Sequence, residues 1–191
     1  LIGRLNYDYL SRYLFEFAFN YSGSSKFPKG KRWGFFPYTS AGWRISEEEF
    51  FKRAFPVISN LKVRASWGEM GDDGASSFQF LTGYNYPDRT YVIDDQVIPG
   101  LGFRGMPNPN ITWYTVTTKN IGLDLDIKDG LLYTQFDLFR RDRTGLLATR
   151  TLTIPRTVGA GLPQENLNED MRRGFELVVG HAKRTGDLRY D

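Results

Sequence analysis

The chain has 191 residues, with 25 Lys plus Arg against 22 Asp plus Glu and a formal net charge of +3 at pH 7. A balance this even, without a basic stripe, argues against a nucleic-acid partner, and the lack of any Cys excludes a disulfide framework and thiolate metal sites. No run approaches the roughly 18 apolar residues of a membrane-crossing helix, yet the mean hydropathy of −0.44 does not exclude a membrane location, since the two faces of alternating transmembrane strands average to a polar value.

Leu1 to Tyr7 reads as a strand, and Asp8 to Arg12 as a short connection. Tyr13 to Ser22 then sends Tyr13, Phe15, Phe17, Phe19 and Tyr21 to one face and Leu14, Glu16, Ala18, Asn20 and Ser22 to the other. Its length is close to the roughly 9–11 residues of a tilted membrane-crossing strand. Gly23 to Gly30 is polar, with Gly and Pro, and predicts a loop. Trp33 to Ile45 resumes an aromatic strand. Ser46 followed by Glu49 fits a capping box, and Ile45 with Phe50 a hydrophobic staple, so a short helix is predicted over 46–55. Pro56 ends it, because the residue before Pro is driven out of helical geometry.

Leu61 to Gly68 alternates again, with Leu61, Val63, Ala65 and Trp67 on one side. Glu69 to Thr112 reads as a long irregular loop with strand pieces near Phe78–Tyr84 and Thr90–Ile93. Thr115 to Ile127 is a strand, Lys128-Asp129-Gly130 a tight turn with Gly at positive φ, and Leu132 to Phe139 the returning strand. Arg143 to Arg173 reads as another long loop, followed by a strand around Phe175–Gly180 and a short turn at Lys183–Gly186. Leu188 to Asp191 looks like the start of a further strand, and the chain reads as a piece of a longer protein. Short and long connections alternate, as on the two rims of an outer-membrane barrel. The expected fold is all-β: an antiparallel up-and-down transmembrane β-barrel, present as a partial barrel of about eight strands with long external loops and one short helix. Periodicity alone also fits a soluble all-β binding or adhesion module with its aromatic face turned inward.

Several segments carry a family resemblance: Tyr21-Ser22-Gly23-Ser24-Ser25-Lys26-Phe27, Arg32-Trp33-Gly34-Phe35-Phe36-Pro37, Ala41-Gly42-Trp43-Arg44-Ile45-Ser46 and Ile58 to Gly68. Asn108 to Trp113, Asn120-Ile121-Gly122-Leu123-Asp124 and Arg173-Gly174-Phe175-Glu176-Leu177 complete the set. In this order and spacing the chain resembles the C-terminal half of the barrel of SusC/RagA-like TonB-dependent outer-membrane transporters. It departs from their usual pattern at Ser22, Trp67, Tyr114 and Arg172-Arg173. The resemblance implies a Gram-negative outer-membrane location, with residues 1–191 belonging to a 22-stranded barrel whose plug domain, N-terminal strands and final strands lie elsewhere. It also implies a SusD-like surface lipoprotein as lid, a TonB complex acting through the plug, and import of oligosaccharide. Peptide or a metal chelate is the alternative cargo.

A barrel of that width holds a plug and water, so its polar face is expected to turn inward. Glu16, Asn20, Lys62, Arg64, Asp124, Asp126, Asp137 and Glu176 are the expected lumen-facing residues, with mixed charges and no single-sign ring. Phe15, Phe17, Phe19, Val63, Leu123, Leu125, Phe136 and Leu177 are expected to meet outer-membrane lipid. Trp33, Phe35, Tyr38, Trp43 and Trp67 are expected at headgroup depth, where amphipathic rings settle. Tyr84, Tyr86, Tyr91 and Trp113, in the long loops, have flat faces suited to sugar rings or to a lid protein. Arg140, Arg141 and Arg143 with Asp142 form a charged strand end at the outer rim. No nucleophile elbow or spaced calcium ligands appear, and His181 reads as a surface residue, so no catalytic role, cofactor or metal is expected.

Overall fold

The computed structural model describes residues 1–128, 130–150, 159–185 and 188–190. In chain order the strands are β1 (Ile2–Tyr9), β2 (Tyr13–Gly23), β3 (Trp33–Arg44) and β4 (Ile58–Asp72). Four short loop strands follow: β5 (Tyr84–Asn85), β6 (Thr90–Ile93), β7 (Gln96–Pro99) and β8 (Gly102–Phe103). The chain continues with β9 (Tyr114–Ile127), β10 (Leu132–Thr149), β11 (Gln164–His181), β12 (Lys183–Thr185) and β13 (Leu188–Tyr190). Seven of these make one antiparallel sheet in the order β1-β2-β3-β4-β9-β10-β11. Every wall strand therefore pairs with its neighbour along the chain once the loop strands are set aside, as in an up-and-down wall. The other sheets among the described residues have two strands each, so no second sheet of comparable size is present there.

The wall is one strand shorter than expected, because the last two strands pair with each other as a small hairpin. The turn expected at Lys183–Gly186 lies partly outside the described residues. The β1–β2 turn uses Leu10 and Ser11 at φ 52° and 55°, the twist that suits a tight hairpin. Asp8 Oδ1 accepts from the Ser11 amide at 2.7 Å and helps to hold it. At the β9–β10 turn Gly130 has φ +92°, and Lys128 is also left-handed at 50°; Asp129 lies outside the described residues.

Three local expectations need correction. The loop expected over 143–173 is mostly strand, since β10 runs on to Thr149 and β11 begins at Gln164. Apolar alternation hides this, because beyond the belt the strands carry charges, and Arg143 pairs with Asp170 across the ladder. The Phe78–Tyr84 strand piece is absent except where Tyr84 opens β5. Between β3 and β4 the chain makes a 3-10 turn (Ile45–Glu47) and then α1 (Glu49–Ala54). Glu48 is the N-cap of α1 and its side chain makes no capping bond. Ser46 is instead buried inside the turn, and Phe51 packs inward while Phe50 stays exposed. Neither the capping box nor the staple forms, because Glu48 is extended and engaged elsewhere. The helix does end where Pro56 requires, with Phe55 as C-cap.

The only two large side chains fully buried among the described residues, Phe27 and Ile111, lie in the long loops. They join Ala75, with Phe80, Trp113 and Leu147 packed around them. The wall itself has almost no buried core, as a single sheet between two solvents must.

Candidate functional site

Residues directly opposite on paired strands share a face, so the register sorts every side chain of the wall. Glu16, Ser40, Ser66 and Asn120 form one such row, continuing to Phe139 and Gly174. Asn20 stands opposite Phe36, and Lys62 opposite Asp124. Arg64 and Asp137 both stand opposite Gly122, while Glu176 stands opposite Asp137. The eight polar residues expected on one face thus do share it.

Arg64 organises this face across three strands. Its Nε donates to Asp124 Oδ1 at 3.2 Å, and its Nη2 donates to Asp137 Oδ2 at 2.5 Å. Reaching from β4 over β9 to β10 is possible because Gly122 lies beneath. A Cβ there would meet Arg64 Cζ at 2.6 Å and Asp137 Oδ1 at 2.8 Å. Nearby, Arg4 pairs with Glu16 at 2.9 Å, and the Asn60 amide donates to Asp126 at 3.1 Å. An open groove of ≈ 460 Å³ runs along this face, lined by Arg4, Glu16, Tyr38, Ser40, Lys62 and Arg64 among others. Its charges are mixed, so it suits a polar surface or neutral polar cargo better than one sign of ion.

The opposite face is apolar. Phe15, Phe17, Phe19, Val63, Leu123, Leu125, Phe136 and Leu177 all lie on it by register. Trp33, Phe35, Trp43 and Trp67 lie there too. Tyr21 stacks on Trp33 with centroids 5.2 Å apart, Phe19 meets Phe35 at 5.7 Å, and Tyr13 stacks on Trp43 at 6.4 Å. Tyr38 is the exception. It stands opposite Ala18 and Gly68 on the polar face, its ring lying where a Gly68 side chain would be. It is one residue out of step with Phe35 and Trp43, and in a strand one residue reverses the face.

The apolar belt is slanted across the ladder. On β3 it runs from Phe35 to Trp43. On β10 it runs from Arg140 to Leu132, and the Arg140 row meets β3 at Thr39. Both edges therefore shift by about four residues, roughly 13 Å, over three strand spacings of roughly 14 Å in total. That slope matches the 35–45° strand tilt of transmembrane barrels.

At the short-turn edge, Glu48 fastens the aromatic row. Its Oε1 accepts from the Tyr13 hydroxyl at 2.9 Å and from Trp43 Nε1 at 3.3 Å, and Arg12 lies 3.4 Å from Oε2. The Tyr13 hydrogen bond, then that of Trp43, with a weaker contribution from the Arg12 charge, holds the Glu48 carboxyl below the ordinary glutamate range.

At the other end the long loops form a platform. Tyr84, Tyr86 and Tyr91 are more than half exposed, at 63%, 67% and 52%. They sit on or beside two small hairpins, β5–β8 and β6–β7. Trp113 does not join them. Its ring packs on Phe27 and Phe36 at 5.3 and 5.4 Å, and its Nε1 donates to the Arg32 carbonyl at 3.1 Å. It is a core residue of the loops. Asn166 ties this core to the wall, its amide donating to the Thr112 and Gly145 carbonyls at 2.9 and 2.8 Å. Phe27 and Ile111 escaped sequence reasoning because they follow no period. For Phe27 the available signal was a lone large apolar residue within a polar loop; Ile111 lies in a loop with many apolar residues and had no such signal.

The family description "TonB dependent receptor-like, beta-barrel" matches residues 1–191. The chain belongs to the TonB-dependent receptor β-barrel family. It is 35% identical over 182 residues to TonB-dependent receptor SusC of Bacteroides thetaiotaomicron, covering 93% of this chain and 18% of that protein. It is 31% identical over 179 residues to TonB-dependent receptor P3 of Formosa agariphila, covering 94% of this chain and 17% of that one. The chain thus spans about a sixth of the length of these relatives. Among solved structures, the RagAB peptide importer in its closed-closed state superposes with a TM-score of 0.80 at 18% identity, over 97% of this chain and 20% of that one. The siderophore receptor PirA of Pseudomonas aeruginosa gives 0.58 at 14% identity, over 98% and 31%. The chain is a partial outer-membrane β-barrel of this family, and no helix among its described residues is long and apolar enough to cross a membrane.

Proposed function

We propose that residues 1–191 are part of the barrel wall of an active nutrient importer. The protein it belongs to would carry oligosaccharide across the outer membrane under TonB drive, with a SusD-like surface lipoprotein as lid. The observation that carries this reading is the separation of a face bridged by ion pairs from a face of stacked aromatic rings, in a chain of the TonB-dependent receptor family. In this reading the aromatic face meets lipid, and Glu16, Asn20, Lys62, Arg64, Asp124, Asp126, Asp137 and Glu176 face the lumen. Trp33, Phe35, Trp43 and Trp67 sit at headgroup depth. Tyr84, Tyr86 and Tyr91, exposed on or beside the loop hairpins, offer the contact surface for cargo or lid. The work is binding and gated passage without covalent chemistry, and no cofactor takes part.

Identity to SusC supports the SusC-type reading over other receptors of the family. Peptide cargo is the second reading, favoured by the close superposition on a peptide importer. Metal-chelate uptake draws less support, since the siderophore receptor superposes less well. The experiment is growth on single glycans and peptides with the full-length gene deleted and then restored. Loss of growth on one glycan, rescued by the gene, is the expected result. Loss confined to peptides selects the second reading.

A further inference from the structure

Lys119, Arg140 and Arg173 stand directly opposite one another on β9, β10 and β11. With strands about 4.8 Å apart, the three cations fall within roughly 10 Å on the aromatic, outward side of the wall. All three are exposed. The next row towards the short turns is Ile121, Leu138 and Phe175, which are 60%, 49% and 71% exposed. A groove of ≈ 400 Å³ runs there, lined by Ile121 and Leu138 together with the three cationic residues. In the other direction, the next row carries Glu69 and Asp142. Arg140 Nε donates to Asp142 at 3.0 and 2.9 Å. Lys119 and Arg173 make no ion pair among the described residues.

Like charges directly opposite on paired strands repel, and one carboxylate answers only one of three. Depth sharpens the problem. The slant of the belt puts Arg140 level with Phe35, at the edge where the hydrocarbon gives way to headgroups, with Lys119 about one residue deeper and Arg173 about one residue further out. It is the edge bearing the long loops, hence the external leaflet. Snorkelling accounts for one long cation at such an edge. It does not account for three abreast over an apolar groove.

We propose that Lys119, Arg140 and Arg173 bind the phosphate groups of an outer-leaflet glycolipid, whose acyl chains lie over Ile121, Leu138 and Phe175. The two guanidinium groups suit bidentate contact with phosphate oxygens, and the lysine adds a point charge. Asp142 holds the Arg140 fork in place. The site rests on the outward facing of the aromatic side proposed above.

The test uses the full-length transporter extracted from outer membranes, with bound phosphorylated glycolipid counted by native mass spectrometry. The outer-face pair Lys119→Gln with Arg173→Gln is compared with the inner-face pair Arg141→Gln with Arg172→Gln, which stand opposite each other on β10 and β11 in the adjacent row of the ladder. Loss of roughly thirtyfold in affinity for the lipid from the outer-face pair alone is expected for two headgroup-level charges. Folding is checked by heat-modifiable gel mobility. If the outer-face pair does not assemble, Arg173→Lys and Arg173→Gln are compared instead, with retention expected only in the Lys variant. Equal retention by wild type and outer-face variants overturns the site while leaving the facing intact. Loss from the inner-face pair alone overturns both.

Discussion

The wall and the loop platform are stabilised in opposite ways. The wall keeps nearly every side chain on one of two surfaces, and its order comes from strand pairing and from the solvents on either side. The loops, nominally the irregular part, hold the buried residues: Phe27 and Ile111 at 0% exposure, enclosed by Trp113, Phe80 and Leu147. A transmembrane wall needs no core because lipid takes the place of one. A long loop in water must build its own to stay in one shape.

The strongest way to break this contrast is to empty the loop core. Phe27→Ala should cost about 3–5 kcal/mol locally. Loops 24–32 and 73–113 should become sensitive to protease while the barrel keeps its heat-modifiable mobility. Loss of the barrel as well would show that wall and platform are one cooperative unit. On the wall, Phe17→Arg puts a charge in the middle of the apolar belt, at about 2–4 kcal/mol. Membrane assembly should fail, whereas Glu16→Gln on the facing surface should assemble normally. Equal assembly of both would mean that the two faces are assigned the wrong way round.

A smaller effect is expected at the three-strand bridge. Arg64→Met leaves Asp124 and Asp137 facing each other, and since Arg64 is about one-third exposed the loss should be near 1 kcal/mol. Thermal unfolding of the purified transporter measures it, and Gly122→Leu should reproduce it by displacing the guanidinium.

The smallest effect concerns pH. Glu48 has a lowered carboxyl pKa in the folded protein. Its stabilisation is therefore full above the ordinary glutamate range and is lost as pH falls through the lowered value. Hydrogen exchange across residues 45–57 should rise on acidification in the wild type and stay flat in Glu48→Gln.

How much was legible in advance differs between the two regions for a physical reason. The wall strands carry a period of two, so Tyr13 to Tyr21 and Ile121 to Ile127 announced both strand and face. Tyr38 was misplaced because it was grouped by residue type, while its position in the alternation puts it beside Gly68. The continuation of β10 and β11 past the belt was hidden because those strands carry many charged residues, as at Arg143 and Asp170, and show no simple apolar alternation. Trp113 looked like a binding aromatic until its neighbours, distant in sequence, closed around it.

The sequence alone determined where most wall strands lie and how their side chains divide between two faces, both consequences of side chains reversing face at each residue. Only the tertiary structure decided the rest. Register placed Arg64 within reach of both Asp124 and Asp137, aligned Lys119 with Arg140 and Arg173, and brought Phe27 against Trp113. Such contacts depend on which residues stand opposite across the ladder and on how loops close, and one strand's pattern carries no record of its neighbour's register.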